Sequence, residues 1–289
     1  MSSQITTAFV QQYSSNVQLL SQQKGSLLRN AVRVESQVGK NAFYDQVGSA
    51  TAQKRLSRHA DTPQLDTPHA RRRVSLVDYE YADLIDDQDK VRTLIDPTSP
   101  YSQATAFAMG RAIDDEIVSA AFGTAYTGET GATSTTFPAG QQVGVGSPAA
   151  GLTVAKLVEA KQLLDENNVD PTLPRYVAVA PEQLADLLNI TTVTSSDYNT
   201  VKALVQGEID TFLGFKFIVS TRLSSESGVN RRVIAWAEDG LLLSIGKDIT
   251  AKIDERADKG YATQVYYCMS IGATRMEEEK VVEIKCRED

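Results

Sequence analysis

The sequence has few of the residues that most catalytic and metal sites require. It holds only two cysteines and two histidines in 289 residues. Cys268 and Cys286 lack metal-ligand spacing, and His59 and His69 lie ten residues apart in polar sequence that fits neither a metal pair nor a base–nucleophile pair. GxGxxG, HExxH, GxSxG and CxxC motifs do not occur. The composition therefore predicts no cofactor, no metal site and no enzymatic activity.

Long apolar runs are also missing. None approaches the roughly 18–20 residues that a membrane-spanning helix needs, so no membrane partner is predicted. The Gly/Thr/Ser-rich stretch 123–151 has no lysine and no GK[ST] ending, and it is therefore not a phosphate-binding loop. It is predicted to be a flexible linker or a protruding hairpin.

Acidic charge is scarce at the start of the chain and abundant after it. Residues 1–75 carry ten Lys/Arg and four Asp/Glu, whereas the whole chain has a net charge of −8, which leaves −14 for the remainder. A basic leader on an acidic body suggests contact with nucleic acid, or with the acidic body of a neighbouring copy. A solvated charged face is the alternative.

A long amphipathic helix is predicted over residues 99–122. Ser99 is a good N-cap, Pro100 fits the first helical position, and the Ala-rich run has no further proline before Gly123. The predicted packing residues recur at helical spacing and are Phe107, Met109, Ile113, Ile117 and Ala121. Asp114, Asp115 and Glu116 are predicted to lie on the polar side. Adjacent aspartates such as 114–115 and 86–87 diverge by about 100° on a helix, so they form no catalytic dyad.

The rest of the chain gives weaker signals. Residues 1–32 are predicted to be an arm that orders against something else, and residues 33–82 a long two-stranded excursion that returns as one strand, RVSLVDYEYADLI. A helix capped by Thr153 is predicted to place Val154, Leu157, Val158 and Leu164 on one face. RYVAVA is predicted to be a buried strand, with a short helix opening at Pro181. RRVIAWAEDGLLLSIG is predicted to form a hairpin that turns at Asp239–Gly240.

One contact between copies is suggested by charge. The hypothesis is that Arg71, Arg72 and Arg73 of one copy meet an acidic patch on the next. The patch consists of Asp83, Asp86, Asp87 and Asp89. Exposed ion pairs contribute about 0–1 kcal/mol each, so only repetition over many copies would make them matter.

Four phrases, in this order, resemble the major capsid proteins of tailed double-stranded DNA bacteriophages, which have the Hong Kong ninety-seven capsid fold. LVDYEYADLIDDQDKVRTLIDPTSPYSQATAFAMGRAIDDEI is similar to the run-in to their spine helix, and LLDENNVDPTLPRYVAVAPEQLADLL to their helix–strand–helix unit. GEIDTFLGFKFIVSTRL and GATRMEEEKVVEIKC are similar to two later strands. The podovirus-type subgroup is the most similar.

The resemblance implies an α+β fold with five parts. Residues 1–32 would be the N-terminal arm and 33–82 the E-loop β-ribbon. Residues 83–151 would be the peripheral domain, with spine helix 99–122 and the Gly/Thr-rich loop. Residues 152–228 would be the axial α/β domain, and 229–289 the strands that return to the peripheral sheet.

The resemblance also implies a function. Such proteins form hexamers and pentamers of an icosahedral shell around packaged double-stranded DNA, and a procapsid matures by expansion. Implied partners are a scaffolding protein, a portal protein and, in some members, a decoration protein, with assembly in the bacterial cytoplasm and residence in the virion capsid. The alternatives are an encapsulin-like compartment shell and, from another class, an α/β enzyme, for which the sequence offers no site.

Overall fold

A computed structural model of the protein describes residues 21–54, 57–58, 64–85, 98–189, 211–226 and 230–288. Several residues named above lie outside these ranges: His59, Asp86, Asp87, Asp89 and the first twenty residues of the predicted arm.

The described residues contain three α-helices and fifteen strands. The helices are α1 (Thr98–Phe122), α2 (Val154–Glu166) and α3 (Pro181–Asn189). The first strands are β1 (Arg33–Ser36), β2 (Asn41–Val47), β3 (His69–Ser75), β4 (Val77–Ile85), β5 (Ala125–Thr127), β6 (Thr133–Thr135) and β7 (Gln142–Val143). The later strands are β8 (Arg175–Val179), β9 (Thr211–Phe212), β10 (Phe215–Val219), β11 (Ser225–Glu226), β12 (Asn230–Ala237), β13 (Leu241–Arg256), β14 (Ala262–Arg275) and β15 (Val281–Arg287).

These strands form three sheets. The central sheet has the order β7–β15–β12–β8–β10–β9, with β11 also paired to β12. The long-strand sheet has the order β1–β13–β14–β4, and the ribbon sheet has the order β2–β3–β5–β6. The central sheet is mixed, because β8 and β10 run parallel while β12 runs antiparallel to β8 and to β15. The architecture is therefore α+β, with a long helix and several sheets.

One core joins the helices to the central and long-strand sheets. Val177, Ala178 and Val179 of β8 are buried on both faces, as the apolar run RYVAVA predicts. Helix α1 packs chiefly on β14, and its buried residues belong to the same core cluster. The helix predicted over 99–122 is present and begins one residue earlier, at Thr98.

The hairpin predicted at Asp239–Gly240 is wrong. Strand β12 belongs to the central sheet and β13 to the long-strand sheet, and a 3-10 turn over Glu238–Gly240 carries the chain from one to the other. A tight Asp-Gly hairpin needs a positive φ at glycine, which Gly240 does not have. A Cβ at Gly240 would lie 2.8 Å from Cβ of Lys280. The glycine is therefore required by close packing and not by a hairpin turn.

Two further predictions about single elements are also corrected. Val158, predicted to share the buried face of α2, is 47% exposed, whereas Leu157 and Leu164 are fully buried. The single strand predicted over 73–85 is divided at Leu76, because β3 pairs within the ribbon sheet and β4 pairs with β14. The two-stranded part of the excursion is thus β2 and β3, and β5 adds a third strand at its base.

The Gly/Thr-rich stretch 123–151 contains a short hairpin and not a linker. Strands β5 and β6 pair antiparallel, and β7 lies parallel to β15 at the edge of the central sheet. Of the two alternatives that the composition left open, the hairpin is the one present.

Candidate functional site

Helix α1 packs on the long-strand sheet and shares one apolar core with the central sheet. Met109, Ile113, Ile117 and Ala121 are all buried in the main core cluster. Phe107 is only half-buried. The four buried residues recur every fourth position, so they form one row along the helix.

Asp114 is fully buried, which corrects its predicted position on the polar side of α1. Its carboxylate accepts hydrogen bonds from the side chains of Gln23 and Ser26, both at 2.5 Å, and from the main-chain N–H groups of Leu27 and Leu28, both at 3.1 Å. These four donors supply the polar partners that a buried carboxylate requires. The described part of the predicted arm, from residue 21, therefore lies against the helix of its own chain.

A glycine makes this approach close. A Cβ at Gly110, one turn before Asp114, would lie 2.4 Å from the carbonyl carbon of Gly25. Leu28, Ala31 and Val32 then enter the main core. A glycine four residues before a carboxylate on a long helix is the sequence signal that could have indicated this contact.

Asp115 and Glu116 point to other parts of the molecule. Arg222 lies in the loop that follows β10. Its Nε donates a hydrogen bond to the Asp115 carboxylate at 2.7 Å, and its Nη2 group donates a second one. The Tyr79 hydroxyl on β4 donates to Glu116 at 2.8 Å. Burial and this bond to a carboxylate raise the pKa of Tyr79 to about 12. Three consecutive carboxylates thus contact three different segments.

Each of the three predicted arginines has a partner within its own chain. Nε of Arg71 donates to Asp45 on β2 at 2.5 Å. Arg72 is buried and donates to the carbonyl oxygen of Met276 at 2.7 Å and to the Glu278 carboxylate. The Arg73 guanidinium carbon lies 4.6 Å from the centre of the Tyr126 ring.

A buried cluster links the base of the ribbon to the end of α1. Arg275 is fully buried at the end of β14, and its Nη1 donates to the carbonyl oxygens of Ala121 and Gly123 at 2.9 and 3.0 Å. Those carbonyls belong to the C-terminal turn of α1, where the helix dipole favours a cation. Burial lowers the pKa of Arg275. Glu278 lies 3.5 Å from Nε of Arg275 and also pairs with Arg72, so one carboxylate serves two buried cations.

The acidic patch is only partly described. Asp83 lies on β4, half-buried, and accepts a hydrogen bond from the main-chain N–H of Leu84 at 2.9 Å. Asp86, Asp87 and Asp89 lie outside the described residues. The pairing of Arg71–Arg73 with this patch on another copy stays a prediction.

The described residues include potential metal ligands and both thiols of the chain. No group of three or more His, Cys, Asp or Glu side chains converges among them as a metal site. Cys268 and Cys286 are both free, and burial raises the pKa of the Cys286 thiol to about 12. None of the helices in the described ranges is long and apolar enough to cross a membrane.

The sequence and the fold match one family. Residues 5–288 match the family model described as phage capsid protein. No curated protein matches the chain.

Several solved capsid structures have a similar fold. The capsid of the cyanophage P-SCSP1u is 18% identical with a TM-score of 0.72, and the match covers 99% of this chain and 95% of that one. The capsid of Ralstonia phage GP4 is 12% identical with a TM-score of 0.75, covering 97% and 96% of the two chains. The capsid of the cyanophage Pam1 is 13% identical with a TM-score of 0.69, covering 97% of each chain.

Proposed function

Since the chain belongs to the phage capsid protein family, we propose that its copies assemble as hexamers and pentamers into an icosahedral shell around packaged double-stranded DNA. As a member of this family the chain is a structural shell protein, and the chain has the fold of tailed-phage capsid proteins. The proposal adds the form of the assembly and its maturation from a procapsid by expansion. The family match over residues 5–288 is the observation that carries it.

The ribbon sheet supports burial between copies. One face of β2 and β3 packs on the chain itself, through Arg72 and through Tyr44, which contacts Val74 in a small core cluster. The opposite face leaves Phe43 and Val47 exposed, Val47 by 67%. Arginine and aromatic side chains are enriched at protein interfaces, and Arg71 lies 5.7 Å from the Phe43 ring on this outer face. We assign this face to contact with a neighbouring subunit.

The five predicted parts take roles within this assembly. The ribbon, residues 33–82, would lie over an adjacent subunit, and residues 152–228 would form most of the axial domain at the five-fold and six-fold centres. Residues 83–151 would supply the peripheral domain, which residues 229–289 complete. Residues 23–28 contact their own α1, and contact of the arm 1–32 with a neighbouring subunit is part of the proposal.

The charge of the chain suits a container for DNA. A basic inner wall would bind the DNA phosphates in a salt-dependent way. Residues 76–289 have a net charge of −14, so a wall built from them would not bind DNA strongly. Strong, sequence-independent DNA binding by the purified subunit at about 0.15 M salt would contradict this part of the proposal.

The proposed partners are a scaffolding protein during assembly, a portal protein at one vertex and a decoration protein on the outside. Assembly is proposed to take place in the cytoplasm of the bacterial host, and the mature protein resides in the virion capsid. No catalytic step by the chain is part of this function.

Negative-stain electron microscopy tests the proposal. The chain is expressed alone and together with the proposed scaffolding protein, and we expect closed shells or ring-shaped capsomers of uniform size. Compact monomers under both conditions, at concentrations where related shells form, would overturn it.

A further inference from the structure

The face of the long-strand sheet that points away from α1 is covered by its own chain over only part of its length. Where β13 begins, the ribbon lies on this face. The hydroxyls of Tyr44 and Ser244 are 3.3 Å apart there, and Val74 packs with Leu242 in a small core cluster. Further along β4 and β14, the side chains of the same face are exposed or half-buried. A sheet face that the ribbon of its own chain already covers in part is thus left open beyond it.

The register of β4 on β14 shows which residues share the open part of this face. Tyr79 and Tyr81 of β4 lie beside Met269 and Tyr267 of β14, which are buried on the side of α1. Side chains alternate along a strand, so the residues between them point away from α1. These residues form the distal outer face: Asp78, Glu80, Ala82 and Leu84 of β4, with Tyr266 and Ser270 of β14. All four of its β4 residues are exposed.

The distal outer face combines carboxylates with apolar side chains. Asp78 and Glu80 each accept a hydrogen bond from a hydroxyl of β14, at 2.5 and 3.3 Å. Lys40 and Lys247 line a groove of about 430 Å³ together with Asp78. Within the described ranges, however, neither carboxylate forms an ion pair. Leu84 is 44% exposed beside them. The face therefore offers acceptors for a cation next to apolar surface.

The outer face of the ribbon has the complementary composition. Arg73 of β3 lies between Phe43 of β2 and Tyr126 of β5 in the strand register, and both aromatic side chains are more than 40% exposed. Val47 on the same face is 67% exposed. The Arg73 guanidinium carbon is 4.6 Å from the centre of the Tyr126 ring, and Arg73 has no carboxylate partner in the described part of the chain. An arginine among exposed aromatic residues is a typical interface composition.

We propose that the outer face of the ribbon in one copy docks on the distal outer face of the long-strand sheet in a second copy, with Arg73 beside Glu80. Opposite charges select the register, and the exposed apolar side chains of both faces are buried together. Because the two faces differ, the contact is head-to-tail, and such contacts close into rings when the rotation between copies allows it. The inference rests on the proposed function and deepens it by naming the surface that receives the ribbon.

Photo-crosslinking identifies the surface that the ribbon contacts. Benzoylphenylalanine in place of Phe43 keeps an aromatic side chain on the outer face and couples to groups that touch it. Assemblies are formed from equal amounts of unlabelled and ¹⁵N-labelled chain, so that mass spectrometry distinguishes coupling between copies from coupling within one copy. We expect coupling between copies, into β4 or β14. Coupling into other segments, or only within one copy, would overturn the proposal.

Reversal of charge tests the pair of Arg73 and Glu80. Arg73→Glu is expected to raise the chain concentration needed for assembly by at least about fivefold, because two carboxylates then face each other in every contact. Addition of Glu80→Arg to this variant is expected to restore assembly to within about twofold of the wild type. The matched control adds Glu159→Arg instead, which gives the same net charge but changes an exposed carboxylate of α2, and it is expected to stay impaired. Rescue by both second substitutions, or by neither, would refute the pair.

The two levels of the proposal fail in different ways. If the wild-type chain forms no assemblies at all, the proposed function and this contact both fail. If it forms shells in which benzoylphenylalanine at position 43 couples outside β4 and β14, only this contact fails. Glu80→Arg alone changes an exposed side chain and is expected to impair assembly as Arg73→Glu does, so the test does not depend on the folding of one variant. Normal assembly of Glu80→Arg would count against the contact.

Discussion

Replacement of Glu278 by glutamine is expected to lower the free energy of unfolding by about 3 kcal/mol. The Glu278 side chain is 16% exposed, and its two partners are almost fully buried, with side-chain exposures of 6% for Arg72 and 0% for Arg275. Removal of one partner from a buried ion pair costs about 3–5 kcal/mol, since the remaining charge has lost its solvent and its counterion. Arg275 keeps the carbonyls of Ala121 and Gly123, which places the expected loss at the lower end.

The measurement uses urea unfolding of the unassembled chain. The chain has one tryptophan, Trp236, which is buried and donates to the carbonyl oxygen of Ala31 at 2.8 Å, so its fluorescence reports unfolding of the core. With an m-value of about 3 kcal/mol/M, the expected loss lowers the unfolding midpoint by about 1 M urea.

A neighbouring glutamate provides the control for this prediction. Glu279 is exposed, and Glu279→Gln is expected to change the free energy of unfolding by less than about 0.5 kcal/mol. If Glu278→Gln unfolds at the same urea concentration as Glu279→Gln, the two buried arginines do not depend on this carboxylate and the reasoning is refuted.

Three further predictions concern the helix, the thiols and one tyrosine. Ile113→Pro should cost at least about 3 kcal/mol of helix stability and abolish shells in electron micrographs, whereas normal particles would contradict the role of α1. At about pH 8, a thiol reagent should modify only the half-buried Cys268 in the folded chain, because burial raises the pKa of Cys286 to about 12. In urea it should modify both cysteines. Rapid modification of two cysteines without urea would contradict the burial of Cys286. The pKa of Tyr79 is raised from its ordinary value of about 10 to about 12, so the folded state favours the protonated hydroxyl. The stabilisation by Tyr79 is therefore complete below about pH 10 and is lost as the pH rises toward about 12. The stability difference between wild type and Tyr79→Phe, from urea unfolding, should therefore shrink over that range, and a constant difference would show that Glu116 does not hold the hydroxyl.

The elements predicted well from sequence are those that local signals define. The proline near the start, the alanine-rich run and Gly123 determine α1 almost to the residue. Pro181 likewise begins α3. The apolar run of β8 predicts a buried strand from its own residues, without knowledge of the strands that pair with it. In each case the information lies within a few residues of the element.

The predictions that failed depend on partners distant in sequence. Asp-Gly at 239–240 is a good hairpin signal, but the strands on its two sides pair with different sheets. Val158 has helical spacing from Leu157 and Leu164 yet lies at the uncovered side of α2. Asp114 looks like any acidic residue on a solvated face, because its donors are about 90 positions earlier.

The candidate contact residues show the same division. Charge alone placed Arg71, Arg72 and Arg73 in one group, although the alternation of a strand sends Arg72 to the opposite face from its neighbours. Arg72 is buried with Glu278, a residue 206 positions later, and no local pattern indicates that pair. The role of the group in contact with another copy stays a prediction.

The position of β15 has a consequence for biosynthesis. This strand lies between β12 and β7, so it fills the interior of the central sheet and not its edge. The ribosome must release residues 281–287 before that sheet can close, and until then β12 has an unpaired edge and the side of α2 that packs on β15 has no cover. The central sheet of each subunit is therefore complete only after this strand has been synthesised and has paired with β12 and β7.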